Sequence, residues 1–500
     1  MRESAGRTRR NDAASGGPFC RFATTVVTLI GALSLMALFM TLTSQGADAS
    51  VRALYVNGSA GHDSGTCSLS SPCASISYAL SHAAPDTTIH VAAGTYREQV
   101  TITHRVTIVG AGEGATVIAP TVLPRFDSDT DSATPQYYII DATHTARVDL
   151  KNLTVDGSGA SSTFTSCADD FVGVYYHDAS GQLSNVAVVN VALPLPLFGC
   201  QDGLGIYAAT NSGTTAFVDM LHLRVQTYDK NGITCDDPGT TCEIVHSTVT
   251  GIGPTGLIAQ NGIQVFGATA FVLDNHVSGD TYSGGGAGNQ ADGMLLLNAG
   301  RLLISRNTVR ANDIDIYAGE IPSYGLVPRV TGTWTIQNNV VTSATDDVRG
   351  GTVGNGYGDG IQVDSTTNTV RVMNNKIGLN HEFGTSLFGT TGVLVSGNTS
   401  AGNFDGLYVG SPALVQGHPL VAATGNSIVG NREVGNAHDG VLADVTSSEA
   451  GNLFRGNSMH KNGFFEAQDL STGGGTAGTA NTWSHNFCGG PHRADPAGIC

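Results

Sequence analysis

The feature that most constrains the fold is a recurring pair of asparagines with four residues between them. The pair occurs in "NTVRAN" from Asn307, "NKIGLN" from Asn375, "NTSAGN" from Asn398, "NSIVGN" from Asn426 and "NSMHKN" from Asn457. A second signal is Asp or Asn, then Gly, then an aliphatic residue, as in "DGIQVD" at 359 and "DGLYVG" at 405. Successive units are typically about 23 to 36 residues apart, which is typical of a β-solenoid built from repeated coils.

The composition supports short strands joined by tight turns. The chain has 66 glycines among its 500 residues and only 24 Lys and Arg. Alternating triplets such as "VLVSGN" place one aliphatic row inward in each strand. In a parallel coil each position stacks on its equivalent about 4.8 Å away. We therefore predict that the paired asparagines adopt the left-handed conformation at turns and form side-chain hydrogen-bond ladders, a structural role.

The repeat resembles that of a known family. The unit N-x(4)-N-x-x-G-[ILV], complete in "NTSAGNFDGL" at 398–407, is similar to the repeat of right-handed parallel β-helix proteins of the pectin-lyase-like superfamily. The resemblance covers roughly residues 53–490 and extends to "PCASISYAL", which is similar to a capping helix. It implies an all-β, right-handed parallel β-helix of roughly 11 to 12 coils, with the helix cap near residues 72–84. We place the solenoid domain at 50–470 and a Gly-rich joint with a disulfide-closed tail at 471–500.

The N-terminal segment predicts export. Five arginines precede an apolar run at residues 22–42, and the small residues "ADA" follow at 47–49. This is the layout of a cleaved secretory signal, so residues 1–49 are expected to be absent from a secreted, extracellular protein. The alternative is that residues 22–42 remain as a membrane anchor.

Net charge and cysteine content limit the possible partners of the protein and its cellular compartment. A formal net charge of -17 makes nucleic acid an unsuitable partner, and an anionic polysaccharide would need bridging cations or a local patch of Arg and Lys. Outside the N-terminal segment, eight cysteines fall into sequence-local pairs, which predicts disulfides in an exported chain. The predicted pairs are Cys67 with Cys73, Cys167 with Cys200, Cys235 with Cys242, and Cys488 with Cys500.

A column of acids is expected where the first strand of each coil begins. Its members are Asp170, Asp202, Asp292, Asp359, Asp405 and Asp439. One interpretation is a turn ladder in which Asp and Asn alternate and accept backbone hydrogen bonds. The other is a row of carboxylates about 5 Å apart that hold Ca²⁺ between them. Asn231 and Asn261 interrupt the column and favour the turn ladder.

The densest candidate site is "TYDKNGITCDDPGTTC". The resemblance implies a pectate-lyase-like enzyme in which Lys230 takes the C5 proton of a uronide. Asp229, Asp236 and Asp237, with Asp202 from the preceding coil, would be ligands of a Ca²⁺ cofactor. The alternative is a surface ion pair at a turn, with no function.

A second cluster, "CADDFVGVYYHD", offers Tyr176 and His177 as substrate-binding residues. Strand alternation sends Tyr176 to one face and His177 to the other, so the two side chains are not expected to act together.

Two functions of different classes follow from these patterns. In the first, the protein acts on an extracellular polysaccharide, with calcium-dependent β-elimination of uronides as its most specific form. In the second, it is a non-catalytic adhesin or rod on a surface or in a matrix. The absence of any complete catalytic motif of the superfamily favours the second, and the architecture itself does not decide between them.

Overall fold

The computed structural model describes most of the chain beyond the N-terminal segment. The described residues are 53–124, 136–144, 147–167, 169–211, 213–284, 290–320, 332–345, 358–364, 366, 368–410, 422–444, 450–490 and 493–500. The predicted signal at 1–49 and its alternative, an anchor at 22–42, lie outside these residues. Within the described ranges, no helix is both long enough and apolar enough to cross a bilayer.

The described residues are almost entirely strands. One α-helix, α1, spans Ile76–His82, and two short 3-10 helices span Ser161–Thr163 and Thr476–Gly478. The strands of the first half are β1 (Ala53–Val56), β2 (Thr87–Val91), β3 (Gly94–Tyr96), β4 (Val100–Ile102), β5 (Val106–Gly110), β6 (Thr116–Ile118), β7 (Gln136–Thr143), β8 (Val148–Asp156), β9 (Asp170–His177), β10 (Gly181–Val191), β11 (Leu204–Ala209), β12 (Ala216–Leu221), β13 (Arg224–Tyr228), β14 (Asn231–Asp236), β15 (Thr240–Val245), β16 (Thr248–Thr250), β17 (Asn261–Phe266), β18 (Thr269–Leu273) and β19 (His276–Ser278).

The strands of the second half continue the same order. They are β20 (Asp292–Leu297), β21 (Leu302–Ser305), β22 (Thr308–Arg310), β23 (Ile314–Gly319), β24 (Thr333–Gln337), β25 (Val340–Thr342), β26 (Ile361–Asp364), β27 (Thr369–Met373), β28 (Lys376–Gly378), β29 (Phe383–Phe388), β30 (Leu394–Ser396), β31 (Thr399–Ala401), β32 (Asp405–Gly410), β33 (Ser427–Val429), β34 (Arg432–Val434), β35 (Val441–Ala443), β36 (Leu453–Arg455), β37 (Ser458–His460), β38 (Ala467–Asp469), β39 (Thr482–Ser484), β40 (Phe487–Gly489) and β41 (Ala494–Asp495).

The strands form a parallel β-helix, as predicted. One sheet has 14 strands, β4-β7-β9-β11-β14-β17-β20-β23-β26-β29-β32-β35-β38-β41, and takes one strand from each coil. The other two strands of each coil pair in parallel within a 27-stranded sheet. Twelve of the fourteen strands, β4 to β35, lie within residues 89–459, the range over which 11 to 12 coils are predicted, and β38 and β41 follow it.

The core consists of aliphatic rows that stack from coil to coil. Ile233, Ile263, Met294 and Ile316 are register partners on successive strands, and each is fully buried. Removing such rows from water is the main stabilising contribution to a solenoid. Glu433 is an exception on β34, since it is 1% exposed at an inward position. Burial raises the pKa of Glu433 to about 8.

The asparagine ladders are confirmed. In the longest, each side-chain amide and each backbone N–H donates to the side-chain oxygen of the next asparagine at 2.9–3.1 Å. This ladder comprises Asn275, Asn307, Asn339, Asn375, Asn398, Asn431, Asn457 and Asn486. A second ladder joins Asn380, Asn403, Asn436 and Asn462.

The predicted left-handed conformation of the ladder asparagines is wrong. The residue immediately before each asparagine has the positive φ instead, as for Asn374 (56°), Gly397 (65°) and Gly430 (66°). Because the left-handed residue directly precedes the asparagine, the asparagine can direct both its backbone N–H and its side-chain amide at the side-chain oxygen of the next asparagine.

The two ends of the solenoid differ from the predicted boundaries in detail. The cap helix begins after Ser75, whose hydroxyl accepts the Tyr78 N–H, and it buries Ile76 and Leu80 against the first coil. At the other end β39, β40 and β41 pair with β36, β37 and β38. The solenoid therefore continues past the boundary placed at residue 470.

The four predicted disulfides are present. The Cα atoms of Cys167 and Cys200 are 5.2 Å apart, as expected for residues stacked in successive coils. The other bonds join Cys67 to Cys73, Cys235 to Cys242, and Cys488 to Cys500. Disulfides of this kind persist in oxidising compartments.

Candidate functional site

The acids at the start of the 14-stranded sheet are mostly bound to backbone N–H groups. Asp202 accepts the N–H of Phe171 at 2.8 Å and of Gly203 at 2.6 Å. Asp359 accepts the Phe383 N–H at 3.2 Å, and Asp405 accepts the Asp439 N–H at 2.6 Å. At Asp202 and Asp359 these contacts favour the turn-ladder interpretation of the acid column, whereas Asp405 also lies beside His438.

The acid column does not have the strand register expected from the Asp–Gly and Asn–Gly pairs in the sequence. Leu204 pairs with Val172 in the preceding coil and with Asn231 in the following one, so Asp202 lies level with Asp229 and not with Asn231. Asn231 instead begins a row with Asn261 and Asp292. The expectation that Asn231 interrupts the same column as Asp202 is therefore wrong by two residues.

The four predicted calcium ligands do not assemble into a metal site. Asp236 accepts the Asp237 N–H at 2.8 Å and the Tyr207 hydroxyl at 3.2 Å, while Asp237 accepts the Thr210 N–H at 3.2 Å. Asp202 is occupied by backbone donors. Asp229 is fully buried, and burial raises its pKa to about 7. Among the described residues, the single group of side chains that could share an ion lies elsewhere.

Lys230 lies among a different set of acids from the one predicted. Its ammonium donates to the Ala259 carbonyl oxygen at 2.6 Å. Burial lowers the pKa of Lys230, and the charges of Asp292, Asp229 and Asp280 act in the opposite direction. Asp236 and Asp237 are not among these neighbours. The lysine is therefore bound to a backbone carbonyl oxygen before β14, near buried carboxyl groups whose pKa values burial raises.

Asp280 and Asp292 are two of the three buried acids whose charges raise the pKa of this lysine. Asp280 is fully buried and accepts the Tyr228 hydroxyl at 2.6 Å. Burial raises the pKa of both Asp280 and Asp292 well above its ordinary value. The charge of Lys230 acts in the opposite direction on the pKa of both carboxyl groups.

The predicted sugar contacts of Tyr176 and His177 are wrong. Tyr176 points into the core, is 0% exposed, and its hydroxyl donates to the Val148 carbonyl oxygen at 2.9 Å. His177 lies on the opposite face from Tyr176, as expected, but is only 1% exposed, with its ring stacked on Tyr175. Neither ring has a surface left for a ligand, because Tyr176 fills the solenoid interior and His177 is covered by its neighbours.

Tyrosine–aspartate pairs on the outward surface of the 14-stranded sheet are not evident from the sequence. Each tyrosine hydroxyl donates to an aspartate two residues beyond its register partner in the next coil. The pairs are Tyr207 with Asp236 at 3.2 Å, Tyr317 with Asp364 at 3.0 Å, and Tyr408 with Asp444 at 2.7 Å.

The three pairs lie along the axis of the solenoid. Four strand steps separate β11 from β23, and three separate β23 from β32, so the pairs are about 19 Å and 14 Å apart. Tyr207 and Tyr408 are half-buried, whereas Tyr317 is 4% exposed. Burial raises the pKa of Tyr207 well above its ordinary value and that of Asp236 to about 7. The row carries aromatic rings and carboxyl groups in one repeating geometry.

The group that could share a metal ion consists of Asp405, His438 and Asp439. The imidazole Nδ1 of His438 lies 2.9 Å from Asp405 and 3.5 Å from Asp439. Both carboxylates are buried, and the imidazole is half-buried. Beyond the acid column, no sequence pattern indicates this group, because His438 lies on a turn directly before one of the acids.

Comparisons with known proteins agree on the fold. The family described as right handed beta helix region matches residues 293–487, and the resemblance to right-handed parallel β-helix proteins is confirmed. No curated protein sequence matches the chain significantly.

Solved structures are similar to this chain at low sequence identity. The Dettilon tailspike protein is 16% identical, with a TM-score of 0.46 over 82% of this chain and 63% of its own length. The periplasmic alginate epimerase AlgG is 11% identical, with a TM-score of 0.42 over 72% of this chain and 78% of its own. Pectate lyase Pel9A is 16% identical, with a TM-score of 0.35 over 82% of this chain and 79% of its own. The chain thus spans less than two thirds of the tailspike.

Proposed function

We propose that the protein is exported and binds an extracellular polysaccharide along the outward surface of its 14-stranded sheet. The observation that carries this proposal is the axial row of tyrosine–aspartate pairs. The half-buried rings of Tyr207 and Tyr408 each stack one face on a neighbouring aromatic ring and expose part of an apolar ring with a polar tip. The carboxylate beside each ring accepts hydrogen bonds from hydroxyl groups. A sugar chain presents both kinds of partner repeatedly, so a row of identical pairs matches a repeating ligand better than a compact one.

The acidic surface bears on the chemistry of the polysaccharide. With a formal net charge of -17, the chain repels an anionic polymer unless cations bridge the two. A neutral polysaccharide needs no such bridge. Calcium therefore enters the proposal as a bridging ion for an anionic ligand, since the residues predicted to hold it as a cofactor are not in the group of described side chains that could share an ion.

A catalytic extension of the proposal assigns Lys230 as the base of a β-elimination. The amine would take the C5 proton of a uronide while the C4–O bond breaks and a C4–C5 double bond forms. The lowered pKa of Lys230 supports this role, because a larger fraction of neutral amine is available to accept a proton. The hydrogen bond from Lys230 to Ala259 favours the second function, a non-catalytic rod in which the lysine only joins two coils.

The binding proposal is tested with purified protein and a panel of neutral and uronic-acid polysaccharides, by isothermal titration calorimetry with and without Ca²⁺. The variant Tyr207→Ala/Tyr408→Ala is expected to weaken binding by about tenfold or more if each ring contributes about 1 kcal/mol. The matched control is Tyr55→Ala, which removes a half-buried tyrosine from β1 in the other sheet. Equal affinity of the wild type and the double variant would exclude this surface as the binding site.

A further inference from the structure

Asp405, His438 and Asp439 form a cluster that the proposed function does not use. Their ligand atoms all lie within 4.8 Å of one another. Asp405 is the first residue of β32, and Asp439 occupies the equivalent position before β35, because Leu407 and Val441 are register partners. Stacking of coils therefore brings two carboxylates together. His438 joins them because it directly precedes Asp439 in the sequence.

The hydrogen bonds within the cluster leave one buried oxygen without a donor. His438 Nδ1 carries at most one proton, and Asp405 Oδ1 is its nearer acceptor at 2.9 Å. Asp439 Oδ1 accepts the Phe465 N–H at 2.8 Å. Asp439 Oδ2 has no hydrogen-bond partner among the described residues, although Asp439 is 0% exposed. A buried carboxylate oxygen without a partner is costly, and this one lies 3.5 Å from the imidazole nitrogen.

Two aromatic rings fix the orientation of the imidazole. The rings of Phe404 and Phe464 stack on either side of His438, each with its centroid 4.9 Å away. The interplanar angles are 7° and 12°. This stack holds Nδ1 toward the two carboxylates before any ligand binds, so little ordering is required on binding.

We propose that Asp405, His438 and Asp439 bind a first-row divalent transition metal ion, with Zn²⁺ as the reference case. An imidazole nitrogen with two carboxylates suits zinc better than calcium or magnesium, which take oxygen ligands. Ligand atoms about 2.0 to 2.1 Å from a tetrahedral zinc are about 3.3 Å apart. The distances of 2.9 and 3.5 Å from His438 Nδ1 lie on either side of this value.

The metal would take the place of the missing donor at Asp439 Oδ2. Three protein ligands leave a fourth position open for water or a further ligand, as in zinc sites that are not purely structural. The half-buried imidazole provides a route of entry from solvent. This inference is independent of polysaccharide binding, because it rests on a different set of residues.

The test is a zinc titration of the chelator-treated, full-length protein by isothermal titration calorimetry. The variants are His438→Gln and Asp439→Asn, and each is expected to weaken zinc binding by about tenfold or more. Asp439→Asn suits the fold, because Asn231 and Asn261 already begin equivalent strands. The matched control is Asp359→Asn, which makes the same change at an equivalent strand start where Gly358 stands in place of the histidine.

The result expected is one site that the control retains and both variants lose. Far-ultraviolet circular dichroism establishes that each variant keeps its β-sheet. If Asp439→Asn fails to fold, His438→Gln decides, because its half-buried side chain is not part of the core. A wild-type protein that binds zinc no more tightly than His438→Gln overturns the proposal, as does equal loss of binding in Asp359→Asn.

Discussion

Replacing one asparagine in the middle of the longest ladder tests how the coils are held together. Asn398 accepts the backbone N–H and the side-chain amide of Asn375, both at 2.9 Å. It donates to the Val372 carbonyl oxygen at 2.9 Å and to the Asn431 side chain at 3.0 Å. Asn398→Ala removes all four bonds within a buried row. At about 1 kcal/mol per bond, the free energy of unfolding should fall by about 4 kcal/mol.

The assay is urea-induced unfolding, followed by circular dichroism. The matched control is Asn374→Gly, which removes the amide of an exposed asparagine next to the ladder. Asn374 has a φ of 56°, and its equivalents in the following coils are Gly397 and Gly430, so glycine fits the backbone there. The control should lower the free energy of unfolding by less than about 1 kcal/mol. A loss for Asn398→Ala no larger than that of the control would refute the view that the ladders stabilise the solenoid.

Three further predictions follow from single features of the structure. Burial raises the pKa of Glu433 from 4.5 to about 8, so the folded state binds the proton of this carboxyl group more tightly than the unfolded state does. The contribution of protonated Glu433 to the free energy of unfolding is therefore complete below pH 4.5 and declines as the pH rises to about 8. The difference between these two pKa values corresponds to about 5 kcal/mol. In urea titrations, Glu433→Gln should abolish this part of the pH dependence of the free energy of unfolding. Peptide mapping under non-reducing conditions should recover Cys167 joined to Cys200, and any other partner would contradict the coil register. Lys230→Ala should abolish any release of unsaturated uronides, measured by ultraviolet absorbance, whereas the exposed Lys376→Ala should not.

The fold was largely predictable because its strongest signals are local and repeated. The spacing of Asn398 and Asn403 repeats in coil after coil, and stacking converts that spacing into two ladders. The same stacking predicts the bond between Cys167 and Cys200. Which residue takes the left-handed conformation was not predictable from the asparagines alone, because Gly, Asn, Arg and His all precede ladder asparagines.

The candidate site was less predictable because it depends on register and on which face is inward. Alternation separates Tyr176 from His177 but does not say which of them faces the core. Tyr207 follows the nearest Asp–Gly pair by five residues and Tyr408 follows it by three. The sequence therefore does not show that the two tyrosines occupy the same position in their coils. The strand register of β11 against β14 shows the shared position, because it differs by two residues from the register obtained by matching Asp202 with Asn231.

Hydroxyl-radical footprinting with a bound polysaccharide tests the central claim most directly. Oxidation of individual tyrosines is measured by mass spectrometry in the presence and absence of a polysaccharide identified by calorimetry. The account predicts that the ligand protects Tyr207 and Tyr408 on the outward surface of the 14-stranded sheet and leaves Tyr55 on β1 unchanged. Protection of Tyr55 with no change at Tyr207 and Tyr408 would contradict it.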